Sequence, residues 1–171
     1  DGSLPRFVAR MNATARSLGL TGPSYRNPHG LDQPGHVSTA RDSAALLRAA
    51  LADPFIRRFA GAATATLSDG TVVRSTDNLI GAVPGFVGGK TGHTNDAGWS
   101  QVALARRNGV AITATVLGGP SEAQRDIDLA ALLRFGLSSY RPSRVVDPAR
   151  RYAAVDVGWG RAPVGLVAPR A

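Results

Sequence analysis

Two hydrophobic rhythms run along the chain, and each stretch of rhythm predicts one element. Phe7, Val8, Met11, Ala15 and Leu18 recur at three- and four-residue spacing, which predicts an amphipathic helix. Ser3 precedes it as N-cap, Pro5 sits in its first turn, and Gly19 stops it. The Asn12-Ala13-Thr14 sequon falls inside this helix and is discounted. Residues 25–32 carry Pro and Gly without a period and read as loop. Thr39 and Asp42 form a capping box at the head of a second helix, whose apolar face is Ala44, Leu47 and Leu51. Asp53-Pro54 ends it, and Phe55 to Phe59 add a short helical turn.

The rhythm then changes to strands. Ala63–Ser68 and Thr71–Thr76, rich in Thr and Val, flank Asp69-Gly70 and predict a hairpin with a two-residue turn. Gly98–Arg106 and Val110–Leu117 read as strands joined by Asn108-Gly109. The second of these is nearly apolar on both faces, so it should be covered on both sides. Ser121 opens a last helix, to about Ser138, with apolar residues around most of its circumference, which predicts a helix buried against a sheet. From Arg141 the chain reads as a linker followed by short strands at 153–157 and 163–167. Helices, hairpin, strands and helix in that order predict an α+β fold with an antiparallel sheet.

Composition narrows the classes. The 171 residues are the size of one domain, and 43% hydrophobic and 19% charged residues are ordinary for a globular protein. No stretch approaches the ~18 apolar residues that span a bilayer, and none reads as a signal peptide. The absence of cysteine excludes disulfides and thiolate metal sites. Three separated histidines make no metal set; His29 and His36 read as hydrogen-bonding loop residues, so no metal or cofactor is expected. The net charge of +8 raises the question of nucleic acid, but the arginines are scattered and no basic face is interleaved with aromatics.

One cation stands apart. Of 20 basic residues only Lys90 is a lysine, within Gly88-Gly89-Lys90-Thr91-Gly92-His93-Thr94. Lysine is a compact point charge on a slim stem, suited to a confined site between small residues. A phosphate loop would need glycine where Pro84 stands and a helix where a strand follows, so that reading is rejected.

Lys-Thr-Gly is one of three motifs of the penicillin-recognising enzymes, with S-x-x-K and S-D-N. The likeness extends to Phe7-Val8, Met11-Asn12, Asn27-Pro28-His29-Gly30-Leu31-Asp32, Ser38-Thr39-Ala40-Arg41-Asp42, Asn78-Leu79, Ala97-Gly98-Trp99 and Val116-Leu117-Gly118-Gly119. In this order and spacing, over about Phe7 to Tyr140, the chain resembles the serine D-alanyl-D-alanine carboxypeptidases, the low-molecular-weight penicillin-binding proteins of peptidase family S11. The resemblance implies a β-lactamase/transpeptidase-like fold, incomplete here at its N-terminus. Residues 1–140 would be the C-terminal part of the catalytic domain. Residues 141–171 would be a linker and the start of a β-rich region.

It further implies a set of roles. Lys90, Thr91, Gly92 and His93 would be catalytic, on an edge strand that lines the cleft. Lys90 would supply charge, the Thr91 hydroxyl would bind the substrate carboxylate, Gly92 would admit the substrate backbone, and the His93 N–H would be half of an oxyanion hole. Thr94 and Arg125 would join Lys90, Thr91 and His93 in binding substrate. The substrate would be a peptidoglycan stem peptide ending in D-Ala-D-Ala, with β-lactams as the other ligands, outside the cytoplasmic membrane of a bacterium. Membrane association of a longer parent protein is left open.

The chain departs from the pattern in one respect. With a single lysine it has no S-x-x-K, and the residues two before each Asn are Arg10, Tyr25, Thr76, His93 and Arg106, so it has no S-x-N. The expectation is therefore a piece that is inactive alone. The rival readings are a homologue that binds cell-wall peptide without cleaving it, and a related β-lactamase or esterase.

Overall fold

The computed structural model describes residues 2–143, 146–147, 149–160 and 162–168. These divide into two units that meet in sequence at Tyr140/Arg141. The second unit is one antiparallel hairpin, β6 (Arg151–Val155) and β7 (Val164–Val167).

The first unit opens with α1 (Leu4–Ser17), capped by Ser3 and stopped where Gly19 takes φ +74°. Asn12, the sequon residue, is engaged: its Nδ2 donates to the Val8 and Tyr25 carbonyls, and its Oδ1 accepts from Tyr25 N–H. Helix α2 (Ala40–Ala52) has Thr39 as N-cap, accepting from Asp42 N–H at 3.0 Å. The expected capping box is only half formed. The Asp42 carboxylate turns away to accept from Gly22 N–H at 2.9 Å, which ties the preceding loop to the helix start. Burial, and the Asp42 carboxylate beside it, push the Tyr25 hydroxyl above the ordinary tyrosine range. A short α3 (Pro54–Ala60) follows, capped by Asp53.

The first hairpin is β1 (Thr64–Thr66) with β2 (Val72–Arg74). Its turn differs from the expected two-residue form. Leu67 N–H pairs with the Thr71 carbonyl and Gly70 N–H with the Leu67 carbonyl, so three residues form the loop. Gly70 at φ +86° makes this possible, and the Asp69 carboxylate accepts from Thr71 N–H. That bond holds the Asp69 carboxyl below the usual carboxylate range.

The main sheet has the order β3-β4-β5, all antiparallel: β3 (Phe86–Thr94), β4 (Gly98–Arg107) and β5 (Val110–Gly119). Asn108 and Gly109, both at positive φ, make the expected tight turn between β4 and β5. Alternation along β4 divides the core. Ala103 and Ala105, both fully buried, face α4 (Glu122–Ser139) and meet Leu129 and Leu133. Val102 and Leu104 face the other way, onto Leu47 and Leu51 of α2. Helices therefore lie on both faces of the sheet.

Two expectations need correction. Only one face of α4 is buried; Ile127, Leu132 and Phe135 lie on its outer side, with Phe135 70% exposed. Apolar residues all round a helix do not say how many neighbours it has. Strand β5 is covered well on the α4 side by contacts of Ile112, Ala114 and Val116, but Leu117 on its other face is 48% exposed.

Candidate active site

Strand β3 carries Lys90 to Thr94 at an edge of the sheet, with β4 on one side and no strand on the other among the described residues. Its position is set by glycines of two kinds. A Cβ on Gly88 would lie 3.0 Å from Ala60 Cβ and Leu51 Cδ2, and one on Gly89 would lie 2.9 Å from the Val102 carbonyl oxygen. These glycines let α2, α3 and β4 approach closely. Gly92 is different: a Cβ there would meet nothing within 4 Å, and its φ lies outside the left-handed region. The fold does not require glycine at 92, so the open space above it is available to a molecule that approaches the strand.

Beside β3 lies a cavity of about 810 Å³. Its lining includes the polar residues Lys90, Thr91, Thr76 and Asp77 and the apolar residues Leu47, Phe55 and Phe59. Lys90 is exposed, and its ammonium donates to the Thr91 carbonyl of its own strand. The Thr91 hydroxyl meets that of Thr76 at 3.4 Å.

On the α4 side, residues paired across β3 and β4 share one face. His93 is opposite Trp99, and their rings stack at 4.1 Å and 26°. The Arg125 guanidinium lies 5.6 Å from the Trp99 ring centre. Arg125 is only 1% exposed, and it is ion-paired to Asp126 at 2.6 Å and Glu122 at 3.3 Å. The same two carboxylates accept from Asn78 Nδ2. The first turn of α4 thus supplies acids of its own to the Arg125 guanidinium.

Thr94 is also committed. Its hydroxyl donates to Asp32 Oδ1 at 2.6 Å and accepts from Ala97 N–H at 3.1 Å. Asp32 is delivered by a loop knotted around Asn27, 3% exposed, whose amide bonds Gly30 N–H, the Leu31 carbonyl and Gln33 Oε1. His29 and His36 each accept a backbone N–H within this loop region, as the sequence suggested. The Asn27–Asp32 segment therefore anchors the end of β3.

The structure brings Lys90, Thr91, Gly92 and His93 onto one edge strand and sets Arg125 behind Trp99. Sequence reasoning gave no role to Thr76, Asp77, Trp99 or Gln101. Asp77 Oδ1 accepts from Gln101 Nε2 at 2.7 Å and from Leu79 N–H at 3.0 Å, fixing residues 76–79 beside β3. For Trp99 a signal existed: the short Asn95–Ala97 turn pairs it with His93. For Thr76 there was none.

Such an edge strand, on an antiparallel sheet with helices on both faces, agrees with the β-lactamase/transpeptidase-like fold, and the likeness to solved penicillin-binding proteins makes this the class of the protein. Penicillin-binding protein D2 of Listeria monocytogenes in its cefotaxime-bound form superposes with a TM-score of 0.72 at 30% identity, over 77% of this chain and 55% of that one. A D-alanyl-D-alanine carboxypeptidase of Mycobacterium tuberculosis gives 0.71 at 32% identity, over 82% and 56%. The D-alanyl-D-alanine carboxypeptidase family model matches residues 1–121, and the chain belongs to that family, peptidase S11. The carboxypeptidase DacF of Bacillus subtilis is 32% identical over 165 residues, 94% of this chain and 42% of that protein. The chain spans less than half the length of the curated relatives it matches.

Proposed function

We propose that residues 1–171 supply the substrate-strand part of a serine-type D-Ala-D-Ala carboxypeptidase, which removes the terminal D-Ala from peptidoglycan stem peptides outside the bacterial cytoplasmic membrane. The observation that carries this reading is the free-edged Lys90-Thr91-Gly92-His93 strand beside an open cavity. An extended peptide adds to such an edge by main-chain hydrogen bonds. β-Lactams enter as ligands of the same site; penicillin-binding protein D2 of Listeria monocytogenes has cefotaxime- and ampicillin-bound forms, which supports this reading.

In the complete enzyme a serine outside these residues attacks the carbonyl of the penultimate D-Ala. D-Ala leaves as the amine, and water then releases the shortened peptide. Lys90 stabilises negative charge in the cleft, and Thr91 donates to the substrate carboxylate. The His93 backbone N–H donates to the developing oxyanion, a contribution worth about 10²–10³ in rate where such donors have been removed. Arg125 steadies the first turn of α4 against Trp99 through its pairs with Asp126 and Glu122, and Thr94 holds the strand end through Asp32.

A covalent mechanism needs nucleophile and base within hydrogen-bond reach. Neither S-x-x-K nor S-x-N occurs in residues 1–171. The purified chain is therefore expected to release no D-Ala in a single-turnover assay with a diacylated D-Ala-D-Ala peptide. Release by the chain alone would overturn the assignment of the nucleophile to another segment. The same missing motifs favour one second reading, a homologue that binds cell-wall peptide without cleaving it.

A further inference from the structure

We propose that Thr76 is a second hydroxyl of the substrate-carboxylate subsite, acting beside Thr91. The proposal rests on the carboxypeptidase reading above and adds to it a residue outside the lysine strand.

Thr76 lies in a short segment fixed on both sides. Ser75 N–H bonds the Ala63 carbonyl at 2.9 Å, and the Ser75 hydroxyl accepts from Asp77 N–H at 3.1 Å. Asp77 is in turn held by Gln101 and lies against Gly89. Thr76 itself is exposed, and its hydroxyl points at that of Thr91, 3.4 Å away on the rim of the cavity that Lys90 also lines. A side chain on a pinned backbone, with its polar atom at an open rim, is arranged for a ligand. Packing does not require the hydroxyl, because the residue is exposed.

The proton count supports a shared anion. Each hydroxyl has one hydrogen and two acceptor sites. With nothing bound, one hydroxyl donates to the other, and one hydrogen remains free. A carboxylate accepts at both of its oxygens, so the two hydroxyls can each turn outward and donate to one oxygen, with the Lys90 ammonium adding charge. A C-terminal amide offers only one accepting oxygen and no charge. The pair therefore selects a free C-terminal carboxylate over its amide, which is the selection an enzyme that removes only a terminal residue requires.

The test is an NMR titration of the complete enzyme that contains these residues, its nucleophilic serine replaced by alanine to stop turnover, with N-acetyl-D-Ala-D-Ala and with its C-terminal carboxamide, comparing wild-type Thr76 and Thr91 with Thr76→Val, Thr76→Ser and Thr91→Val. Hydrogen bonds to a charged group are strong enough that losing one weakens binding about tenfold. The expected result is preference for the acid in the wild type, about tenfold reduced by Thr76→Val and by Thr91→Val, and retained by Thr76→Ser. Because position 76 is exposed, both variants should keep the wild-type melting temperature. Loss in Thr91→Val with no change in Thr76→Val would overturn the role of Thr76 and leave the carboxypeptidase reading standing. No preference in the wild type, or none lost in either valine variant, would overturn both.

Discussion

Gly92→Ala is expected to melt at or slightly above the wild-type temperature, while the penicillin-acylation rate of the complete enzyme falls about a hundredfold. The stability half follows from the backbone. Position 92 has no left-handed φ, and an added Cβ meets nothing within 4 Å. Alanine then gains about 0.5–1 kcal/mol over glycine inside a strand. The functional half follows from the same space, because a methyl group there displaces whatever lies along the strand. Misplacing a reacting group by about 1 Å costs on the order of a hundredfold. Gly88→Ala should behave in the opposite way. Its Cβ would be 3.0 Å from Ala60 and Leu51, and 3.3 Å from the Ala60 backbone. Overpacking of that kind costs about 1–3 kcal/mol, read as a lower urea midpoint. Equal loss of stability in both variants would remove the distinction between the two glycines.

Arg125→Met is expected to destabilise the chain by about 2–3 kcal/mol, below the ~3–5 of a fully buried broken pair because Glu122 stays partly solvated. The substitution preserves length and apolar contact with Trp99 but leaves Asp126 and Glu122 facing each other without their cation. Exposed arginines such as Arg41 should change stability by less than about 0.5 kcal/mol. Urea denaturation of Arg125→Met and Arg41→Met checks the contrast. If the two behave alike, Arg125 is not the buried anchor that its 1% exposure indicates.

Much of this arrangement was legible in the sequence, for identifiable reasons. Capping residues marked the starts of α1, α2 and α4, since Ser3, Thr39 and Ser121 all accept the expected backbone N–H. Asn108-Gly109 fixed a turn because both positions take positive φ. Strand β3 was not legible from pattern, since its glycines carry no alternation; only the likeness to a family identified it as a strand. The outer face of α4 was misread because hydrophobic periodicity reports composition around a helix and not the presence of a neighbour. Arg125 and Thr94 were read as ligand contacts by position in a motif. The partners they hold within the fold, Asp126 in the next position and Asp32 62 residues away, were not read, because they depend on side-chain direction and on loop folding. A pair as distant as Thr94 and Asp32 leaves little trace in a single sequence.

The most direct measurement is fluorescent penicillin labelling of cells that express the native gene, followed by the intact mass of the labelled band. A labelled protein longer than 171 residues, containing this sequence and an S-x-x-K serine as the modified site, is the predicted result. A product that carries Lys90-Thr91-Gly92 yet takes no label at any penicillin concentration would contradict the carboxypeptidase assignment and leave a peptide-binding homologue in its place.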